Sequence, residues 1–130
     1  MAIAYLCILV AALLPYVWVG IAKFGGRRYD NRDPRGWLAK QDDPRTHRAY
    51  NAQLNAFEAF APFAAAVLMA QSAGVDPARI TQLALAFVAL RVLHGLFYIG
   101  NKPAFRSLIW LAALVCVIAL MVLAAARVAG

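Results

Sequence analysis

Apolar positions fall into four long blocks, and the polar positions between them form connectors of very unequal length. The first block, residues 1–24, carries no Lys or Arg before Lys23 and has Pro15 near its middle, which predicts one spanning helix with a kink. The stretch GGRRYDNRDPRGWLAKQDDPR that follows is rich in Gly, Pro and charge and lacks helical apolar periodicity. It reads as a polar surface loop, residues 25–45, with Tyr29 and Trp37 as interface anchors. The turn signal Asp42-Asp43-Pro44-Arg45 introduces a second span over 46–73, and Gly74 stops it. Asp76-Pro77 combines an N-cap with proline at the first helical position, so a third span opens there and runs over 77–99. Gly100-Asn101-Lys102-Pro103 is a turn, and a fourth span covers 104–127.

Composition turns these blocks into a class of protein. The chain is 64% apolar, against about 45–50% for soluble domains, and its mean hydropathy is +0.66. At about 20 apolar residues per span, its 130 residues accommodate four membrane helices and their connectors as a single domain. The expected fold is therefore an all-α integral membrane four-helix bundle, with no room for a separate soluble domain. The first block lacks the charged n-region and A-x-A site of a signal peptide and is long enough to span, so it is expected to be retained. Short connectors between spans two, three and four require antiparallel neighbours.

The net charge of +7 would suggest nucleic acid in a soluble protein, but its distribution excludes that partner. Ten of the thirteen Lys and Arg residues lie in or beside the first and third connectors. Because cytoplasmic loops accumulate Lys and Arg, both connectors are expected to be cytoplasmic and both termini on the opposite side, consistent with a bacterial inner membrane. Cys7 and Cys116 lie in apolar runs without C-x-x-C spacing and read as small buried hydrophobes. No paired His or Cys spacing offers a metal site.

Two spans carry polar groups deep within apolar stretches. Asn51, Asn55 and Glu58 are spaced i, i+4, i+7 on one face of span two, with Gln53 off that stripe. Arg91, His94 and Tyr98 are spaced i, i+3, i+7 on one face of span three. From a rise of about 1.5 Å per residue, Glu58 lies about 18 Å along the helix from Thr46, and Arg91 about 12 Å from Ile99. A lone charge at mid-membrane costs roughly 3 kcal/mol on insertion scales, so a Glu58–Arg91 ion pair is expected. Pro62 displaces the carbonyl of Glu58, and a bend is expected beside that carboxylate. These groups are either helix–helix glue or the lining of a polar pocket open to the cytoplasmic side. His94 is either a packing histidine or a proton carrier.

The segments HRAYNAQLNAFEAFAPF and RVLHGLFYIGNKPAFRS resemble the MAPEG family, membrane-associated proteins in eicosanoid and glutathione metabolism. Asn55, Glu58, Pro62 and Phe63 match that family's second-helix signature, Arg91 and Tyr98 its third-helix pair, and Arg106 the arginine opening its fourth helix. The resemblance covers nearly the whole chain. It implies a homotrimer with glutathione, as co-substrate, bound bent at subunit interfaces from the cytoplasmic side. It further implies that Asn55, Glu58, Arg91 and Tyr98, with His94 on the same face, contribute to the glutathione site, as Gln53 does in a leukotriene-forming member. Arg106 would stabilise the glutathione thiolate. Such an arrangement is chemically coherent, because arginines suit glutathione's carboxylates, Glu58 suits its amine, and a guanidinium favours thiolate over thiol.

This chain departs from the pattern at Asn51, where eukaryotic members usually carry arginine; Arg48, nearly a turn earlier, is the candidate substitute anchor. A basic residue closing the first helix is expected among Lys23, Arg27 and Arg28. The resemblance is to the short bacterial branch. Its leading functional implication is a glutathione-dependent transferase or peroxidase for lipophilic small molecules reached from membrane lipid. The alternative is a non-catalytic member whose polar ladder is structural or binds another small anion. A proton-coupled four-span exporter ranks last, because such proteins carry an essential Glu in the first helix and span one has no acidic residue.

Overall fold

The computed structural model describes residues 1–130, which form five helices and no strand. The long helices are α1 (Ala2–Phe24), α3 (Pro44–Ser72), α4 (Pro77–Ile99) and α5 (Pro103–Ala129), and all four are long and apolar enough to cross a membrane. Between the first two lies a short helix, α2 (Pro34–Ala39), inside the segment expected to be loop throughout. The same local signal starts three of the helices. Asp33, Asp43 and Asp76 each precede a proline, and each carboxylate accepts a backbone N–H of the first turn, from Gly36, Arg45 and Ala78 respectively.

Helix ends are equally local in origin. After α3, Gly74 takes a positive φ of 74°, and the N–H of Val75 donates to the Ala70 carbonyl at 3.0 Å, which closes a Schellman motif. After α4, the left-handed position falls on Asn101, at φ 57°, rather than on Gly100. Asn is the side chain best suited to replace Gly there, and Lys102 N–H closes the motif on the Phe97 carbonyl at 2.9 Å.

Packing follows small residues. α1 lies along α3 and α4 along α5, while α3 also meets α4 and α5. Ala4, Cys7 and Ala11 of α1 and Ala66 and Ala70 of α3 are buried in the larger core, which is centred on Phe63 and Phe87. Those two rings stack with centroids 3.9 Å apart at 9°. A second cluster joins Leu14, Trp18 and Ala22 of α1 to Ala49, Ala52 and Ala56 of α3. Gly95 of α4 is buried against Trp18, and any methyl at that position would overlap the indole.

Large apolar side chains point outward as often as inward. Only 28 of 130 residues are buried, and Leu6, Leu9 and Leu13 of α1 and Leu108, Leu111 and Val115 of α5 are exposed. A chain this apolar with so little interior needs lipid or other protein around it. Pro62 and Pro15 both lie within unbroken helices. The loop before α3 is held by its own contacts. Trp37 Nε1 donates to the Arg28 carbonyl at 2.8 Å, and Lys23 Nζ sits 4.7 Å from the centroid of the Tyr29 ring. Asp30 pairs with Arg32 at 2.9 Å, and that guanidinium holds the Asp30 carboxyl below the usual carboxylate range.

Candidate functional site

Helical periodicity brings the polar residues of α3 and α4 together, and α5 completes the site. Asn55 is half-buried, whereas Arg91 and His94 are buried, at 4% and 2% exposure. Arg91 Nη2 donates to Asn55 Oδ1 at 2.6 Å. Glu58 and Arg91 line the same cavity of about 180 Å³, with Asn55, Pro62, Phe87 and Trp110.

The expected Glu58–Arg91 ion pair is not formed within the chain. Both ion pairs of the chain lie in the loop, between Arg27 and Asp42 and between Arg32 and Asp30. The Glu58 side chain is exposed, and the amide of Asn55, one turn earlier, takes the guanidinium instead. A neutral acceptor meets the buried cation without a second charge having to be desolvated.

A second, more open pocket of about 460 Å³ adjoins this cavity and shares Asn55 and Trp110 with it. His94, Tyr98, Arg106, Ser107 and Leu111 complete its lining. The Arg106 guanidinium carbon lies 4.4 Å from the Tyr98 ring centroid, a cation–π contact that holds its planar face. Tyr98 in turn meets the His94 ring edge to face at 5.7 Å. His94 Nδ1 is the one buried side-chain nitrogen or oxygen without a hydrogen-bond partner. This pocket therefore presents an amide, a phenol, an imidazole and a guanidinium to one volume. The arrangement suits a small anionic or multiply polar ligand, and Arg106 can lower the pKa of an acid held beside it.

Two of the sequence candidates lie elsewhere. Gln53 lines a separate recess of about 190 Å³ between α1, the loop and α3, together with Lys23, Arg35 and Tyr50. Of the three cations considered for closing the first helix, Lys23 lines that recess, while Arg27 and Arg28 are exposed on the loop. Arg48 donates through Nε to the Ile99 carbonyl at 3.0 Å, where it satisfies a free carbonyl at the end of α4. Asn51 is exposed on α3. Trp110 and Ser107 were not among the candidates. With Arg106 and Leu111 they form an i, i+1, i+4, i+5 face of α5, a signal available once Arg106 is taken as a site residue. The structure has no group of three or more His, Cys, Asp or Glu side chains able to hold a metal.

Four apolar helices, outward-facing leucines and an internal polar ladder define a multi-pass integral membrane four-helix bundle. The MAPEG family profile matches residues 3–126, nearly the whole chain, and the protein belongs to that family. No individual curated protein and no solved structure matches it.

Proposed function

We propose that this MAPEG-family membrane protein is a glutathione-dependent transferase or peroxidase for lipophilic electrophiles, working at the subunit interfaces of a homotrimer. The observation that carries this reading is the pocket shared by Asn55, His94, Tyr98 and Arg106. Glutathione offers two carboxylates, an ammonium and a thiol. The exposed carboxylate of Glu58, set in an apolar span, suits the ammonium. The recess holding Gln53, Lys23 and Arg35 suits a carboxylate and belongs to the same site if a neighbouring subunit brings the two surfaces together.

The chemistry is thiolate attack. Arg106 stabilises the sulfur as its proton leaves to water. The sulfur lone pair then forms the bond to an electrophilic carbon or oxygen, and the leaving group departs with the electrons of the bond it breaks. The electrophile arrives through the apolar sides of α4 and α5. The basic loops face the cytoplasm of a bacterial inner membrane in this proposal, so glutathione enters from that side.

A second reading is favoured by the Arg91–Asn55 bond, which satisfies part of the ladder without any ligand. In that reading the protein is a non-catalytic member whose polar residues hold helices together or bind another small anion. Glutathione binding to the protein purified in detergent, paired with conjugation of a model electrophile, separates the two. Saturable binding at millimolar glutathione with turnover supports the transferase. Absence of both overturns it. Glu58→Gln and Arg91→Leu add a structural control: loss of the oligomer in each supports the glue reading, and an intact oligomer that no longer binds supports the pocket.

A further inference from the structure

The end of the bundle opposite the basic loop has a concavity of its own, open and about 460 Å³ in volume. Asp76 and Arg79 line it from the start of α4, and Leu123, Ala126 and Arg127 from the last turns of α5. Arg79 and Arg127 are the only Lys or Arg at this end, since ten of the remaining cations belong to the loop end and Arg91 is internal. Neither forms an ion pair, as both salt bridges of the chain lie in the loop. Two free guanidiniums therefore converge on one concavity at the edge of the apolar zone.

The third charge decides what fits. Asp76 Oδ1 accepts the Ala78 N–H at 3.2 Å as the helix cap, and the side chain is exposed at the concavity. A purely anionic headgroup would bring its phosphate towards this carboxylate. A choline headgroup has no N–H to donate to it. A phosphate joined to a primary ammonium satisfies all three charges, since guanidinium forks match phosphate oxygens and the carboxylate accepts from the ammonium. Leu123 and Ala126 continue the lining along the apolar length of α5, where acyl chains would lie.

We propose that this concavity binds a phosphoethanolamine headgroup, with the phosphate on Arg79 and Arg127 and the ammonium on Asp76. The site is separate from the polar pocket of α3, α4 and α5 and does not depend on the glutathione reading. Phosphatidylethanolamine and soluble phosphoethanolamine share this chemistry.

Native mass spectrometry of the full-length protein tests it, using phosphatidylethanolamine, phosphatidylglycerol and phosphatidylcholine with identical acyl chains. The expected result is retention of the ethanolamine lipid over both others. R79Q/R127Q lowers that retention about tenfold, the scale of one charge-assisted hydrogen bond lost. D76N keeps the helix cap, because Asn caps as well as Asp, and abolishes the preference over phosphatidylglycerol. All three side chains are exposed, so unchanged helical content is the check that each variant folds. Equal retention of the three lipids overturns the proposal, as does an intact ethanolamine preference in D76N. Displacement of the lipid by soluble phosphoethanolamine supports the site and assigns it to the free compound; lipid binding without displacement supports it as a membrane-lipid site.

Discussion

Arg91 on α4 is held by Asn55 on α3, through one 2.6 Å hydrogen bond from Nη2 to Oδ1, with the guanidinium at 4% exposure. Removing the acceptor leaves a buried charge without that partner, which costs more than the bond itself contributes. Asn55→Ala is expected to destabilise the protein by about 2 kcal/mol, a drop of roughly 5–10 °C in thermal midpoint. Asn55→Asp keeps an acceptor in place and is expected to stay near the wild-type midpoint. Thermal unfolding of both variants in one detergent provides the measurement, and equal midpoints for Ala and Asp would show that the bond does not stabilise the fold.

Arg106 faces the Tyr98 ring at 4.4 Å and shares a pocket with His94 and Asn55. If its role is to stabilise a thiolate, removing the charge should affect chemistry far more than binding. Arg106→Gln is expected to lower kcat for conjugation by about 10²-fold, the scale of losing one preorganised electrostatic contact. It should also abolish the ultraviolet absorbance of bound thiolate while changing glutathione affinity much less. Tyr98→Phe keeps the ring face and should leave the thiolate signal largely intact. Equal loss of the signal in both variants would place the effect in the phenol instead.

Much of this arrangement is legible in the residues, and the remainder has identifiable physical reasons for being hidden. The spans follow from four apolar blocks, and helical spacing alone places Asn55 with Glu58, and Arg91 with His94 and Tyr98. Which group meets Arg91 is not written in either helix. It depends on the registry between α3 and α4, which is set by packing such as the Phe63–Phe87 stack. A carboxylate therefore looked the natural partner where an amide is found. α2 was missed for a different reason. Asp33-Pro34 is the same start signal as Asp76-Pro77, but six residues are too few to display a period. Trp110 gave no signal because a tryptophan in an apolar span looks the same whether it faces a pocket or lipid.

His94 is buried, and its Nδ1 has no hydrogen-bond partner within the chain. Buried polar atoms are rarely left so, and this one belongs to a side chain lining the larger pocket. A merely structural imidazole would be replaceable by an apolar ring of similar shape at little cost. His94→Phe is thus expected to hold thermal stability within about 1 kcal/mol of wild type. If the pocket takes glutathione and the ligand satisfies this nitrogen, its Kd should rise about tenfold, equivalent to one hydrogen bond. Calorimetric titration beside a thermal melt reads both. A variant that unfolds early and binds normally would reassign His94 to packing alone.

Gly95 supports the site without belonging to it. It follows His94 on α4 and lies against the Trp18 indole of α1, with no room for a methyl between them. Ala is intrinsically the better helix former by about 1 kcal/mol, so propensity alone would make Gly95→Ala stabilising. Packing opposes this, because a large planar ring in a close-packed interior cannot yield without displacing its helix, and overpacking costs about 1–3 kcal/mol. The steric cost is expected to win, giving net destabilisation of about 1–2 kcal/mol after the helix-propensity gain. Trp18→Leu beside Gly95→Ala removes the obstruction, so the two changes should be strongly non-additive. A double-mutant cycle on thermal stability measures the coupling. Additive effects would mean that α1 and α4 do not meet through this pair, and that His94, one residue away, is positioned by something else.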